Sequence, residues 1–319
     1  MGVGTVASVD KVVGFEKTAE KLKSKRLSAA LRVQSIALKA ACDFMHERGL
    51  VQLLPVVVSP VTDPLNHPAQ GGVINYKGTK LRLTKSMILH KQLALAAGHS
   101  GVFVISPNVR FESDDKAETG RHLLEFSQFD FELRGVGMRC AMDFIEDLFE
   151  RIFSRVASDC AEELSFLKRE LSVPEKPFPV FEAPALRMRF GARWYDEVSK
   201  IAKKMFWVVD HEREFYDRED DARPGHFLNY DAVYPEGFGE ALSGGEREFE
   251  YERILRRMKR NKTRVEDYAP YLAAAREGLL SPSAGAGFGI ERLVRFVCGA
   301  EHVAHVSPFA KVPGGEIIF

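Results

Sequence analysis

The chain has 319 residues, 45% of them hydrophobic and 28% charged, and its 45 basic and 45 acidic side chains leave a formal net charge of zero. This composition supplies core for one large domain or two small ones; the charge balance argues against broad electrostatic binding of nucleic acid but allows a local basic patch. No apolar run approaches a membrane span, and the first residues, MGVGTVASVDKVVGFEK, lack a signal-peptide pattern, so a cytoplasmic protein is expected.

Residues 1 to 28 form a leader ending in the charged run EKTAEKLKSKR, expected as a solvated helix or frayed arm. Ser28 then caps a helix that runs to about Gly49, with Leu31, Leu38, Cys42 and Met45 on one side. LLPVVVSPVTDP reads as a buried strand, and its Pro55, Pro60 and Pro64 point to an edge or interface position. NHPAQGGVINYKG reads as a mobile loop with soft points at Gly71, Gly72 and Gly78, and SMILHKQLALAAG as a second helix. From Val102 to Leu133 the chain reads as two strands joined by a charged loop. Residues 136 to 170 are helical, with Met142, Ile145, Leu148, Ile152 and Val156 forming a core stripe. Between about Val173 and Asp231 short strands and turns are expected: FWVVD and the stretch around Tyr230 as strands, HEREFYDREDDARPGH as a polar loop. EYERILRRMKRNKTRVEDYAPYLAAAREG is helical, and SAGAGFGIERLVRFVCG reads as a glycine-rich turn entering a last helix. Strands mixed with helices without a βαβ beat indicate an α+β domain on an antiparallel sheet. Cys42, Cys140, Cys160 and Cys298 form no CxxC pair, which points to buried thiols and away from zinc.

Three places carry chemistry. On the first strand of the hairpin, Arg110 and Glu112 share a face; on the second, Phe126, Gln128 and Asp130 share one, opposite Ser127, Phe129, Phe131 and Leu133. A ring, a cation, carboxylates and an amide on one face suit a nucleotide. The turn GAGFG leads into Ile290-Glu291-Arg292-Leu293, where a helix N-terminus and Arg292 favour an anion. Asp231, Glu240 and Ser243 are hard oxygen ligands suited to magnesium held against phosphates. Glu240 and Arg247 are seven apart, so a regular strand would separate them, and Gly244-Gly245 is the expected site of a bulge that restores the phase.

These elements, in this order, resemble the three signature motifs of class II aminoacyl-tRNA synthetases: a helix and strand ending at Pro60, the strands Arg110-Phe111-Glu112 and RHLLEF, and the segment GFGIERL. RHLLEFSQFDFEL and SGGERE are most similar to the aspartyl and asparaginyl branch. The resemblance implies a class II catalytic fold over residues 29–319 behind an extension of residues 1–28, with a homodimer formed through the helix and strand ending at Pro60. It also admits the basic leader as a tRNA-contacting arm. For ATP it implies Arg110 on the α-phosphate, Phe126 stacked on adenine, Glu112 at the adenine amino group, Arg121 and His122 at the outer phosphates, and Arg292 closing over the nucleotide. Arg110 and Arg292 are then the catalytic pair, and Asp231, Glu240 and Ser243 hold Mg2+.

For the amino acid the resemblance places Lys91 and Arg247 on a carboxylate and Asp130 and Gln128 around the ammonium, with Ser86 of SMILHKQ in the same pocket. Two cations suit aspartate, because an amide would leave Lys91 unpaired. Met87 and Ile88 depart from the aspartyl pattern, which has Pro and Gln there. The family's N-terminal anticodon-binding barrel does not fit into the 28 leading residues. LTKSMILHKQLALA and SPSAGAGFGIERLVRF are similar to an archaeal family of stand-alone asparagine synthetases. That resemblance implies ATP-driven formation of a β-aspartyl-adenylate, attacked by ammonia to give asparagine, AMP and pyrophosphate, without tRNA. The alternative is a truncated paralogue that transfers an activated amino acid to tRNA or protein.

Overall fold

The computed structural model describes residues 15–65 and 69–317. In chain order the helices are α1 (Phe15–Leu22), α2 (Lys25–Glu47), α3 (Ile88–Ala94), α4 (Met138–Asp159), α5 (Ala161–Leu167), α6 (Ala183–Phe190), α7 (Trp194–Ile201), α8 (Tyr251–Arg260), α9 (Ala269–Arg276) and α10 (Ile290–Val297). The strands are β1 (Val51–Gln52), β2 (Val58–Ser59), β3 (Val73–Tyr76), β4 (Thr79–Leu83), β5 (Gly101–Val109), β6 (Glu125–Arg134), β7 (Val180–Glu182), β8 (Phe206–Val209), β9 (Asn229–Tyr234), β10 (Gly239–Glu246) and β11 (Ser283–Gly289). Eight strands form one sheet in the order β1-β5-β6-β11-β10-β9-β8-β7, and β2-β4-β3 form a small second sheet. The large sheet is antiparallel except at its edges, where β1 runs parallel to β5 and β7 parallel to β8. The fold is the expected α+β arrangement of an antiparallel sheet flanked by helices.

Period-two alternation gives this sheet two unlike faces. Phe129, Phe131, Ala284, Ala286, Phe288, Tyr230 and Trp207 join the apolar stripes of α2, α4 and α10 in the main core, and all five α4 residues expected in that stripe are buried there. The opposite face carries Gln128, Asp130, Glu132, Asp231 and Glu240. What was read as a glycine-rich turn is the central strand β11. Its Gly285, Gly287 and Gly289 pair with Glu132, Asp130 and Gln128 of β6. A methyl group at Gly287 would collide with the Asp130 carboxylate, and one at Gly285 with that of Glu132. Here glycine makes room for acids on the neighbouring strand rather than a bend.

Other elements differ from expectation for local reasons. The cap of α2 is Ser24, whose hydroxyl accepts from the Arg26 amide at 3.2 Å, so Ser28 lies inside the helix. LLPVVVSPVTDP holds only the two residues of β2, and Leu54 is 89% exposed, so this is no buried strand. The loop expected at residues 66–78 contains β3, which turns into β4 through Lys77-Gly78, both at positive φ as a type I′ turn requires. Residues 66–68 of that stretch, and 1–14 of the leader, lie outside the described residues. The 173–231 region holds two helices, α6 and α7; α6 buries only Ala183 and Leu186, too few to show a period. Cys160 and Cys298 are buried, whereas Cys42 is half-buried and Cys140 exposed, so the expectation of buried thiols holds for two of the four. Among the described residues no helix is long and apolar enough to cross a membrane.

Candidate active site

Every residue expected to meet ATP lines one cleft of about 480 Å³: Arg110, Glu112, Arg121, His122, Phe126, Glu240 and Arg292. Strand β5 ends at Val109, and Arg110 continues the pairing by donating its amide to the Leu124 carbonyl at 2.9 Å. The Arg110 side chain donates to the Lys85 carbonyl at 3.0 Å, and its guanidinium lies 5.0 Å from the centroid of the Phe126 ring. An aromatic face and a cation thus already stack where a purine ring is expected. Arg292 leaves α10 to meet Glu240 at 3.1 Å and the Arg121 carbonyl at 3.1 Å. Burial, with Arg121 and Arg110 nearby, lowers its pKa against the pull of Glu240. Arg121 pairs with Asp196 at 3.1 Å, and His122 Nδ1 lies 2.5 Å from the Thr119 hydroxyl. Glu291 also lines this cleft. Burial raises its carboxyl to about 7, although the Ser127 amide donates to both its oxygens.

A second, open cleft of about 910 Å³ adjoins the first and is lined by Ser86, Lys91, Gln128, Asp130 and Arg247, the whole set expected for the amino acid. Arg110, Gln128 and Glu240 line both clefts. The bulge that brings Glu240 and Arg247 to one face falls between Glu240 and Leu242, not at Gly244-Gly245, where β10 stays in register with β9. Gly244 and Gly245 lack side chains for another reason: a methyl there would meet the Gly285 carbonyl or the Asn229 backbone.

The cations of this second cleft are not free. Lys91 Nζ is 3.2 Å from Asp130, 3.7 Å from Glu132 and 2.9 Å from the Ala286 carbonyl. Arg247 meets Glu132 at 3.1 Å, Asp217 at 3.4 Å and the Gly285 carbonyl at 2.8 Å. Burial would lower the Arg247 pKa, but Glu132 and Asp217 raise it above the ordinary value. An amide substrate would therefore not strand Lys91, contrary to expectation, because Asp130 and Glu132 already compensate it. Glu132, fully buried and also bonded to the Ser283 hydroxyl at 2.9 Å, is the hub of this network. It shares a β6 face with Gln128 and Asp130, so alternation carried one step further points to it.

The oxygens expected to hold magnesium are engaged by cations of the chain itself. Arg213 Nη1 is 2.7 Å from Asp231 Oδ1 and 2.6 Å from Ser243 Oγ, and Glu240 holds Arg292. Burial would raise the Asp231 carboxyl, but Arg213, His211 and the Ser243 hydroxyl hold it below the usual range. Among the described residues no three His, Cys, Asp or Glu side chains cluster as a metal-holding set. The donor set does not fit a resident magnesium while Arg213 is in place.

Arg213 belongs to the segment read as a merely polar loop. That segment also sends Glu214, Tyr216 and Asp217 into the amino-acid cleft, facing Asp63. Tyr216 donates to Asp63 at 3.1 Å, and Asn229 fixes Asp217 at 2.7 Å. Burial and Asp63, with Asp217, push the Glu214 carboxyl up to about 7 against Arg213. The signal available in sequence was the apolar pair Phe215-Tyr216 inside so charged a run, which anchors it in a second core cluster with Ile254, Met258 and Tyr271.

An antiparallel sheet whose polar face holds two adjoining clefts, one stacked and cationic, the other rich in acid pairs, defines an ATP-dependent ligase core. Residues 12–313 match the family described as tRNA synthetases class II (D, K and N), and the chain belongs to that family. It is 29% identical over 311 residues to an aspartate–tRNA(Asp/Asn) ligase of Archaeoglobus fulgidus, covering 91% of this chain and 69% of the relative. It is 30% identical over 324 residues to an asparagine–tRNA ligase of Sorangium cellulosum, covering 91% and 71%. The fold resembles that of asparaginyl-tRNA synthetase from Pyrococcus horikoshii complexed with asparaginyl-adenylate, with a TM-score of 0.85, 24% identity, and coverage of 96% of this chain and 73% of that one. The family match begins within the stretch read as an N-terminal extension.

Proposed function

We propose that the chain activates aspartate or asparagine with ATP as an aminoacyl-adenylate and transfers the acyl group to a tRNA. The observation that carries this reading is the wall shared by the two clefts, Arg110, Gln128 and Glu240, where an α-phosphate and an amino-acid carboxylate would meet. The carboxylate oxygen attacks the α-phosphorus and pyrophosphate leaves. Arg110 compensates charge at the α-phosphate, Phe126 stacks on adenine with Glu112 at its amino group, Arg121 and His122 take the outer phosphates, and Arg292 closes the site. Ser86, Gln128 and Asp130 orient the amino acid around its ammonium, and Lys91 and Arg247 present a preformed electrostatic wall. The tRNA acceptor follows the names of the relatives and replaces the expectation that tRNA plays no part. Exposed Leu54, Val57 and Val58 beside Pro60 suit a homodimer contact.

A second reading, ammonia-dependent synthesis of asparagine, is favoured by one observation. Asp63, Glu214 and Asp217 add acid to the amino-acid cleft beyond Asp130, a surrounding that would hold an ammonium ion, with Glu214 near 7 to take its proton. Ammonia would attack the β-acyl carbon and AMP would leave. Incubation with ATP, magnesium and labelled aspartate or asparagine tests both readings. Label reaching tRNA supports the first, asparagine formed only with ammonium supports the second, and no pyrophosphate exchange into ATP with either amino acid sinks both.

A further inference from the structure

Arg213 sits in a cage built for a cation. Four oxygens surround its guanidinium: Asp231 Oδ1 at 2.7 Å, Ser243 Oγ at 2.6 Å, the Gly244 carbonyl at 3.0 Å and Asp217 Oδ2 at 3.3 Å. They come from β9, β10 and the 210–228 segment, and the bulge between Glu240 and Leu242 is what sets Ser243 opposite Asp231. The arginine is fixed from behind. Its carbonyl accepts from Asn261 at 2.9 Å and Arg257 at 3.2 Å, and Phe215, two residues on, is fully buried.

We infer that Arg213 is a resident cation that stands in the place of a protein-bound magnesium, so that divalent metal enters this site only as part of the ATP complex. A magnesium ion bonded to Asp231 and Ser243 would lie about 2.1 Å from each oxygen, within the volume that Nη1 fills. Guanidinium and metal therefore compete for the same two ligands. A guanidinium does not deprotonate in proteins, and this one lies against the carboxylates of Asp231 and Asp217, so the competitor is permanently charged. Glu240, the third candidate ligand, holds Arg292 at 3.1 Å. The fixed charge lines the amino-acid cleft, where it is available to a developing negative charge without recruiting an ion.

The test counts metal and does not depend on the proposed reaction. Nucleotide-free full-length protein is titrated with Mn2+ and free ion is read by electron paramagnetic resonance. The wild type should hold no ion at Asp231–Ser243, and Arg213→Gln should bind one Mn2+ at least tenfold more tightly than wild type, with the gain abolished by adding Ser243→Ala. A wild-type protein that holds Mn2+ stoichiometrically and releases it on Ser243→Ala overturns the inference, and so does a folded Arg213→Gln protein that gains no site. If Arg213→Gln does not fold, the wild-type and Ser243→Ala titrations still decide, and Arg213→Lys, which keeps a charge without the fork, gives a second variant.

Discussion

The cleft proposed for the nucleotide and the cleft proposed for the amino acid share a wall but settle their charges in opposite ways. In the nucleotide cleft the cations rest on partners that water reaches: Arg121 on an Asp196 side chain that is 49% exposed, Arg292 on a Glu240 that is 39% exposed. In the amino-acid cleft Lys91 and Arg247 lean on Asp130, Glu132 and Asp217, none more than a few per cent exposed. Exposed pairs break at little cost and buried ones do not. In the proposed reaction the first cleft would therefore hand its arginines to the nucleotide as it arrives, whereas the second would keep a prebuilt shape for the amino acid.

The largest test of that contrast is the hub. Glu132→Ala takes one buried carboxylate from two buried cations, leaving Lys91 to Asp130 and Arg247 to Asp217, and its cost should be about 3 kcal/mol of stability. Asp196→Ala, which removes an exposed partner from Arg121, should cost less than about 1 kcal/mol. Urea unfolding of both variants measures the difference, and equal costs would break the comparison.

A smaller effect on stability but a large one on activity is expected at Arg110. Arg110→Ala should leave the urea midpoint close to wild type and slow amino-acid-dependent pyrophosphate exchange by about 10²–10³-fold, the usual loss for one preorganised charge partner. Arg110→Lys should not restore the rate, because lysine offers neither a fork nor a plane to stack on Phe126. Full activity in the lysine variant would mean that only charge matters at this position.

The two clefts also differ in how far sequence exposed them. The first cleft was legible because its residues are close in the chain and patterned: Arg110 and Glu112 directly follow the end of β5, Phe126 lies on the paired β6, and Arg292 falls in the first turn of α10. The residues expected around the amino acid do line one cleft, but the sequence did not show how their charges are paired. Lys91 meets Glu132, and Arg247 meets Glu132 and Asp217, across separations in sequence that no local period records. The same holds for Arg213 on Asp231 and Ser243. The β11 glycines signal a turn when taken locally, whereas the acids of the neighbouring strand are what demand them. The bulge was placed at the glycines for the same reason, and the extra residue proved to lie beside Glu240.

Each cleft carries one carboxyl raised to about 7, Glu291 on the nucleotide side and Glu214 on the amino-acid side, and pH separates them with the smallest effect. Burial is the leading cause for both, from an ordinary value of 4.5, so the folded protein holds these protons more tightly than the unfolded chain. Their contribution to stability is complete below pH 4.5 and lost as pH rises through 7. Urea midpoints should therefore decline between pH 5 and 8, and Glu291→Gln should flatten part of that decline, because glutamine cannot ionise. Glu214→Gln should flatten another part, and Asp63 ties that part to the amino-acid cleft: Asp63→Asn removes the charge that helps to raise Glu214 and should lower its midpoint while leaving the Glu291 portion intact. A pH slope unchanged in both glutamine variants would place the titration elsewhere. A slope altered equally by Asp63→Asn and Glu291→Gln would mean that the clefts titrate as one unit, against the electrostatic separation drawn between them.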